Sequence, residues 1–180
     1  MKRLLPSFLT LLLASLGAHA APTSAYSEAV INASPAQTWQ ALTTKEGMES
    51  WMVAKAEVDF RIGGLLRTRY AADGVIGDDG TIDNLLLSYD PQRMYSMRIA
   101  KPPKGFPFSQ AWKSVWSVVY FENAGPAGTK VSIHMLGYTD DEESQKMREF
   151  FQRGNQYTLD RLAAKFKPPE TATGTTVPGK

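Results

Sequence analysis

The sequence predicts an α+β domain in which a curved antiparallel sheet wraps around one long C-terminal helix. Three observations carry that prediction. Segments of two-residue hydrophobic alternation are separated by Gly, Pro and Asp turns; two helix-start signals stand in tandem near the front of the chain; and a long amphipathic pattern occupies its back. Strands at such spacing, joined by short turns, form an antiparallel meander with one apolar face to cover, and the helix covers it.

Residues 27–33 alternate and open the fold as a strand. Ser34 then offers an N-cap, Pro35 suits the first helical position and Gln37 completes a capping box, predicting a short helix through Trp39 to Leu42. Thr43 with Glu46 repeats the box and starts a second short helix ending near Trp51. Over residues 54–60 the alternation is strict: Ala54, Ala56, Val58 and Phe60 share one face, Lys55, Glu57 and Asp59 the other, as in a half-buried strand. Gly63 and Gly64 turn the chain, and Leu66, Thr68 and Tyr70 alternate with Arg67 and Arg69 on the return. After the turn-rich residues 72–80 come strands over 85–89 and 94–99, parted by Asp90, Pro91 and Gln92. Residues 112–121 are apolar on both faces, which suits a central strand; 125–128 turn, and 130–138 return.

The last element differs in kind. Thr139 and Glu142 form a third box, and Asp140, Asp141, Glu142 and Glu143 place negative charge at a helix N-terminus, where the dipole favours it. Met147, Phe150, Phe151, Gly154, Leu159, Leu162 and Phe166 recur at spacings near 3 and 4, predicting one helix to about Lys167.

The 180 residues carry 20 Lys+Arg against 18 Asp+Glu and no cysteine. The charge lacks the basic excess of a nucleic-acid binder. The absence of cysteine excludes disulfides, Cys-ligated zinc, iron–sulfur clusters and a thiol nucleophile. Lys2 and Arg3 precede an apolar run over residues 4–16, and Ala18-His19-Ala20 has the small-x-small form of a cleavage site. Residues 1–20 therefore read as a secretory signal peptide, too short in its apolar part for a comfortable membrane span. Cleavage would remove two positive charges and leave 18 against 18, a neutral protein destined for the periplasm or secretion, with no membrane span. Residues 168–180, rich in Pro, Thr and Gly, read as a flexible tail, leaving 26–167 as a single domain.

The stretch from Ser34-Pro35-Ala36-Gln37 to Glu49-Ser50-Trp51, followed by Ala56-Glu57-Val58-Asp59-Phe60-Arg61-Ile62-Gly63-Gly64, resembles the START-like, or SRPBCC, superfamily. Within it the chain is similar to bacterial domains like the C-terminal domain of the activator of Hsp90 ATPase. The likeness continues through Ser88-Tyr89-Asp90-Pro91, Gly128-Thr129-Lys130-Val131-Ser132-Ile133 and Leu159-Asp160-Arg161-Leu162. Two departures touch the expected ligand space. Gly154-Asn155 stands where this family often has Gly-Trp, and a family histidine aligns with Met135, leaving His134 one position earlier on the opposite face. The resemblance implies a helix-grip (Bet v 1-like) fold enclosing a deep, mainly apolar pocket. It also implies three kinds of role: binding a hydrophobic or amphipathic small molecule, contacting a protein partner such as an envelope protein, or transforming a substrate as a hydrolase, cyclase or dehydratase. An exported protein meets neither Hsp90 nor ATP.

The residues name few catalytic groups. With His19 in the predicted signal, His134 is the one histidine left, and no His/Cys metal site or cofactor loop is assembled. Asp73, Asp78, Asp79 and Asp83 lack calcium-loop spacing and read as turn formers beside Gly74, Gly77 and Gly80. Hence no catalytic residue, metal or cofactor is assigned. His134 is either a polar anchor or general base beside Tyr138, or a surface histidine. Asn155 lies four residues after Phe151 and four before Leu159, which puts a carboxamide on the apolar side of the helix. The candidate pocket walls are Trp51, Phe60, Tyr70, Trp112 and Trp116, with Phe121, Phe151 and Tyr157; taken singly each reads first as a core residue, while as a set in a hollow fold some should face the cavity. The proline-rich loop 101–108, with Phe106 and Phe108, is a lid, a partner-binding edge or a stiff connection.

Overall fold

The structure, a computed structural model, describes residue 21 and residues 23–168. The predicted signal peptide and, beyond Pro168, the predicted tail lie outside them. The chain runs β1 (Ser24–Ile31), α1 (Pro35–Thr43), α2 (Lys45–Glu49), β2 (Lys55–Val58), β3 (Leu65–Arg69), β4 (Ile82–Asp90), β5 (Met94–Lys101), β6 (Trp116–Asn123), β7 (Thr129–Leu136) and α3 (Glu142–Lys165). All seven strands join one sheet in the order β1-β7-β6-β5-β4-β3-β2, and every pairing is antiparallel. From β2 to β7 the chain is a meander. The helical pair α1 and α2 carries it from β1 to the far edge, so β1 closes against β7.

The capping box at Ser34 forms: its hydroxyl accepts from the Gln37 backbone N–H, and the Gln37 side chain accepts from that of Ser34 at 3.0 Å. The other two boxes shift. Thr44, not Thr43, caps α2, accepting from Gly47 N–H at 3.0 Å, while the Thr43 hydroxyl donates back to Trp39 C=O at 2.8 Å and so belongs to α1. Asp141, not Thr139, caps α3, accepting from Ser144 N–H at 2.9 Å. Gly47 lets the two short helices meet, since a Cβ there would lie 2.0 Å from Gln40 C=O.

One strand starts later than expected. Trp112 sits in a 3-10 turn, Ala111–Ser114, and β6 begins at Trp116. Although β6 is an interior strand, its outer face is open to solvent: Trp116 and Tyr120 are 38% and 40% exposed. Aromatic residues there raise the apolar count on both faces without a second layer to bury them.

The interior is divided. One core gathers Ile31, Leu42, Met48, Leu86 and Val131 with Leu159 and Leu162 of α3; a smaller one gathers Ala25, Val115, Met135 and Tyr138 with Met147. Between these supports no side chain of α3 from 148 to 158 is buried. That middle stretch is tied to the β1 edge, where Ser27 Oγ donates to Gln152 C=O and Gln156 Nε2 to Glu28 C=O, both at 3.2 Å. Among the described residues no helix is long and apolar enough to cross a membrane.

Candidate functional site

A cavity of about 470 Å3 occupies the space under the middle of α3, between the two cores. Small-molecule sites commonly span about 300–1,000 Å3. Its floor is the inner face of the sheet: Leu66 and Thr68 on β3, Asn84 on β4, Tyr95 and Met97 on β5, Val119 on β6, Ile133 and Met135 on β7. Phe151, Gly154, Asn155 and Thr158 of α3 form the roof, and Met48, Trp51 and Met52 close one end. Tyr70, Phe150 and Tyr157 line it too while staying 58%, 44% and 64% exposed, so they mark the mouth, on the side away from the β1 tether.

Of the residues singled out from the sequence, the fold brings Trp51, Tyr70, Trp112, Phe151, Asn155 and Tyr157 to this one wall. Phe60, Trp116, Phe121 and His134 lie elsewhere, Phe121 within the larger core against Tyr95. Phe60 follows the end of β2 and packs edge-on against Trp39 at 5.4 Å and Tyr89 at 5.2 Å. Trp116 is on the outer face of β6. His134 is on the outer face of β7, wedged between the rings of Tyr26 at 4.7 Å and Tyr120 at 5.4 Å; its neighbours Ile133 and Met135 take the inner positions. A general base in the cavity is therefore not supplied by His134. The Asn155 amide donates to Met135 Sδ at 3.0 Å, a weak acceptor, so the two positions that depart from the family pattern touch each other across the cavity.

Thr68, Asn84, Tyr95 and Ser117 also line the cavity and were not singled out as site residues. None of their side chains bonds to protein among the described residues. Burial pushes the Tyr95 phenol far above its ordinary value of 10.0, so its hydroxyl stays neutral. Their signal in the sequence is slight: a small polar residue at an inward strand position. For Asn84 even that is blurred, because the β4–β5 ladder is irregular on both sides of it: Ala100 of β5 is skipped between Asp83 and Asn84, and Leu87 of β4 is skipped between Leu86 and Ser88.

At the mouth, the loop after β5 lays Phe106 on the cavity and packs Phe106 and Phe108 against Phe150 and Phe151. The Glu143 carboxylate accepts the backbone N–H groups of Ser109 and Gln110, which hold it below the usual carboxylate range. Lys104 N–H donates to Asp79 C=O at 2.6 Å. At the closed end, the Arg161 guanidinium donates to the carbonyls of Trp51 and Met52. Among the described residues no group of three or more His, Asp or Glu is placed to hold a metal ion.

A curved antiparallel sheet holding a long C-terminal helix over a cavity defines the helix-grip class of START-like domains. More specifically, the chain belongs to the activator of Hsp90 ATPase homolog 1-like family, whose pattern matches residues 32–167. Its fold is similar to the solution structure of the Aha1 dimer from Colwellia psychrerythraea, with a TM-score of 0.65 at 16% identity over 82% of this chain and 98% of that one. A protein from Bacillus halodurans gives 0.61 at 14% identity, covering 83% and 100%. An AHSA1-like protein from Aeromonas hydrophila gives 0.57 at 16% identity, covering 82% and 98%. At these identities the likeness is one of fold. Comparison with curated protein sequences returns no match.

Proposed function

We propose that the protein binds a hydrophobic or amphipathic small molecule in the cavity under α3. The observation that carries this reading is the cavity itself: about 470 Å3, walled chiefly by Leu, Ile, Val, Met and aromatic side chains, with a mouth on one side. Binding would derive its affinity mainly from apolar burial, at about 25 cal/mol per Å2 of surface removed from water. Trp51 and Trp112 of the wall are built-in reporters. Titration with naphthalene should shift tryptophan emission to saturation, and native mass spectrometry of gently purified protein should release a co-purifying molecule on solvent extraction. A protein that neither carries a molecule nor responds to any apolar probe would sink this reading.

The same proposal places the protein in the periplasm or outside the cell, on the strength of Lys2, Arg3, the apolar residues 4–16 and Ala18-His19-Ala20. Cell fractionation followed by N-terminal sequencing should find the protein outside the cytoplasm and beginning at Ala21. Recovery of the intact Met1 form from the cytoplasm would refute export.

A further inference from the structure

We propose that the cavity selects uncharged amphiphiles, and that Thr68 and Asn84 receive the ligand's neutral polar group: a hydroxyl, carbonyl or amide. This rests on the small-molecule reading above and names the chemistry of the molecule.

The inner wall carries no carboxylate. Its cation Arg161 is solvent-exposed and already donates to two backbone carbonyls. Arg98 pairs in register with Leu85, between the inward-facing Met97 and Ile99, so its side chain belongs to the outer face of β5. A cationic ligand group drawn inside would thus lose its hydration with no carboxylate to meet it, and an anionic one would find its only counter-charge, Arg161, at a solvent-exposed position already bonded to the chain. Neutral groups are treated differently. Thr68 pairs across the ladder with Ile82, and Leu66 with Asn84, so Thr68 and Asn84 are diagonal neighbours on one face, about 7–8 Å apart. A single ligand oxygen or amide between them reaches both.

Neither side chain has a protein partner, although Thr68 is only 6% exposed. A hydroxyl and a carboxamide on the cavity wall, with their bonding capacity unused by the fold, are available to an occupant that bonds them. Tyr95 and Ser117 do not form a second such pair, because the Tyr95 ring leans the other way, into Trp39, Phe60 and Phe121.

Calorimetric titration at pH 7 with naphthalene, 2-naphthol, 2-naphthoate and 2-naphthylmethylammonium isolates the polar group on one rigid ring. The parent protein should bind 2-naphthol roughly three- to tenfold more tightly than naphthalene, the increment of one hydrogen bond, and both ions more weakly. In the double variant Thr68→Val/Asn84→Leu the preference for 2-naphthol over naphthalene should disappear, the two probes binding with equal affinity. Its thermal midpoint should equal or exceed the parent's, which shows that it folds. Tightest binding of 2-naphthoate, or an equal loss of naphthalene and 2-naphthol in the double variant, would overturn the assignment. If naphthalene binds and 2-naphthol binds no better, this inference fails alone; if no probe binds, the cavity-ligand reading fails first.

Discussion

Asp78 shows how one carboxylate secures the turn beside the mouth. It accepts the backbone N–H groups of Val75 and Gly80 and pairs with Arg69 at 2.9 Å, and these contacts hold its pKa down to about 2. Its folded value lies below its ordinary value of 3.8, so its contribution to stability is full above that value and is lost as pH falls through about 2. Asp78→Asn should therefore lower the thermal midpoint at pH 7, and the gap between parent and variant should close as the pH is taken from 4 toward 2. Circular dichroism melts across that series test it; a gap independent of pH would contradict the assignment. Gly154 gives a second prediction. A Cβ there meets nothing within 4 Å, so Gly154→Ala should stabilise α3 by up to about 1 kcal/mol in chemical denaturation. Gly154→Phe, which projects a ring from the rim of the cavity, should fold and yet bind naphthalene more weakly. At this scale the sequence was only half legible. Alternation showed that His134 and Met135 face opposite ways, but which of them faces the ligand space depends on which side of the sheet α3 covers, and nothing within 130–138 encodes that.

Elements were easier to read than their ends. The seven strands, the tandem short helices and the closing helix each followed from local periodicity and capping chemistry, because a half-buried strand and a covering helix leave different hydrophobic spacings. Boundaries slipped where two residues could serve one role. Thr43 and Thr44 are both competent caps, and the hydroxyl of the first is taken by Trp39 C=O. Thr139 and Asp141 compete likewise, and the carboxylate, charged and aimed at Ser144 N–H, holds the position. Ser34 has no such rival. Ser34→Ala removes a reciprocal box and should cost about 0.5–2 kcal/mol in denaturant unfolding, whereas Thr43→Val, which leaves the α2 cap in place, should cost less than Thr44→Val.

At the scale of the whole molecule, the fold sets aside volume that a denser protein would fill. The sequence pattern could predict a helix over a sheet but not a space between them, since Phe151 and Asn155 have the same spacing whether they meet a strand or a void. An occupant that binds only the folded state adds stability by mass action, about 2.7 kcal/mol at a concentration one hundred times its dissociation constant. Scanning calorimetry with increasing 2-naphthol should therefore raise the thermal midpoint steadily in the parent, and less in Thr68→Val/Asn84→Leu.

The division of the interior into two cores has a mechanical side. α3 rests on Met147 at one end and on Leu159 and Leu162 at the other, and from 148 to 158 its hydrogen bonds to the β1 edge lie on one flank while Phe150 and Phe151 meet the Phe106 loop on the other. It is a beam across two piers with one light strut, Asn155 to Met135, beneath its span. A guest would act as the missing floor, damping the flexing of that span while leaving the piers as they were. Amide hydrogen exchange along α3 should consequently slow in the middle and not at the ends when the cavity fills, which turns the helix into a gauge of occupancy for a guest whose identity is not known beforehand.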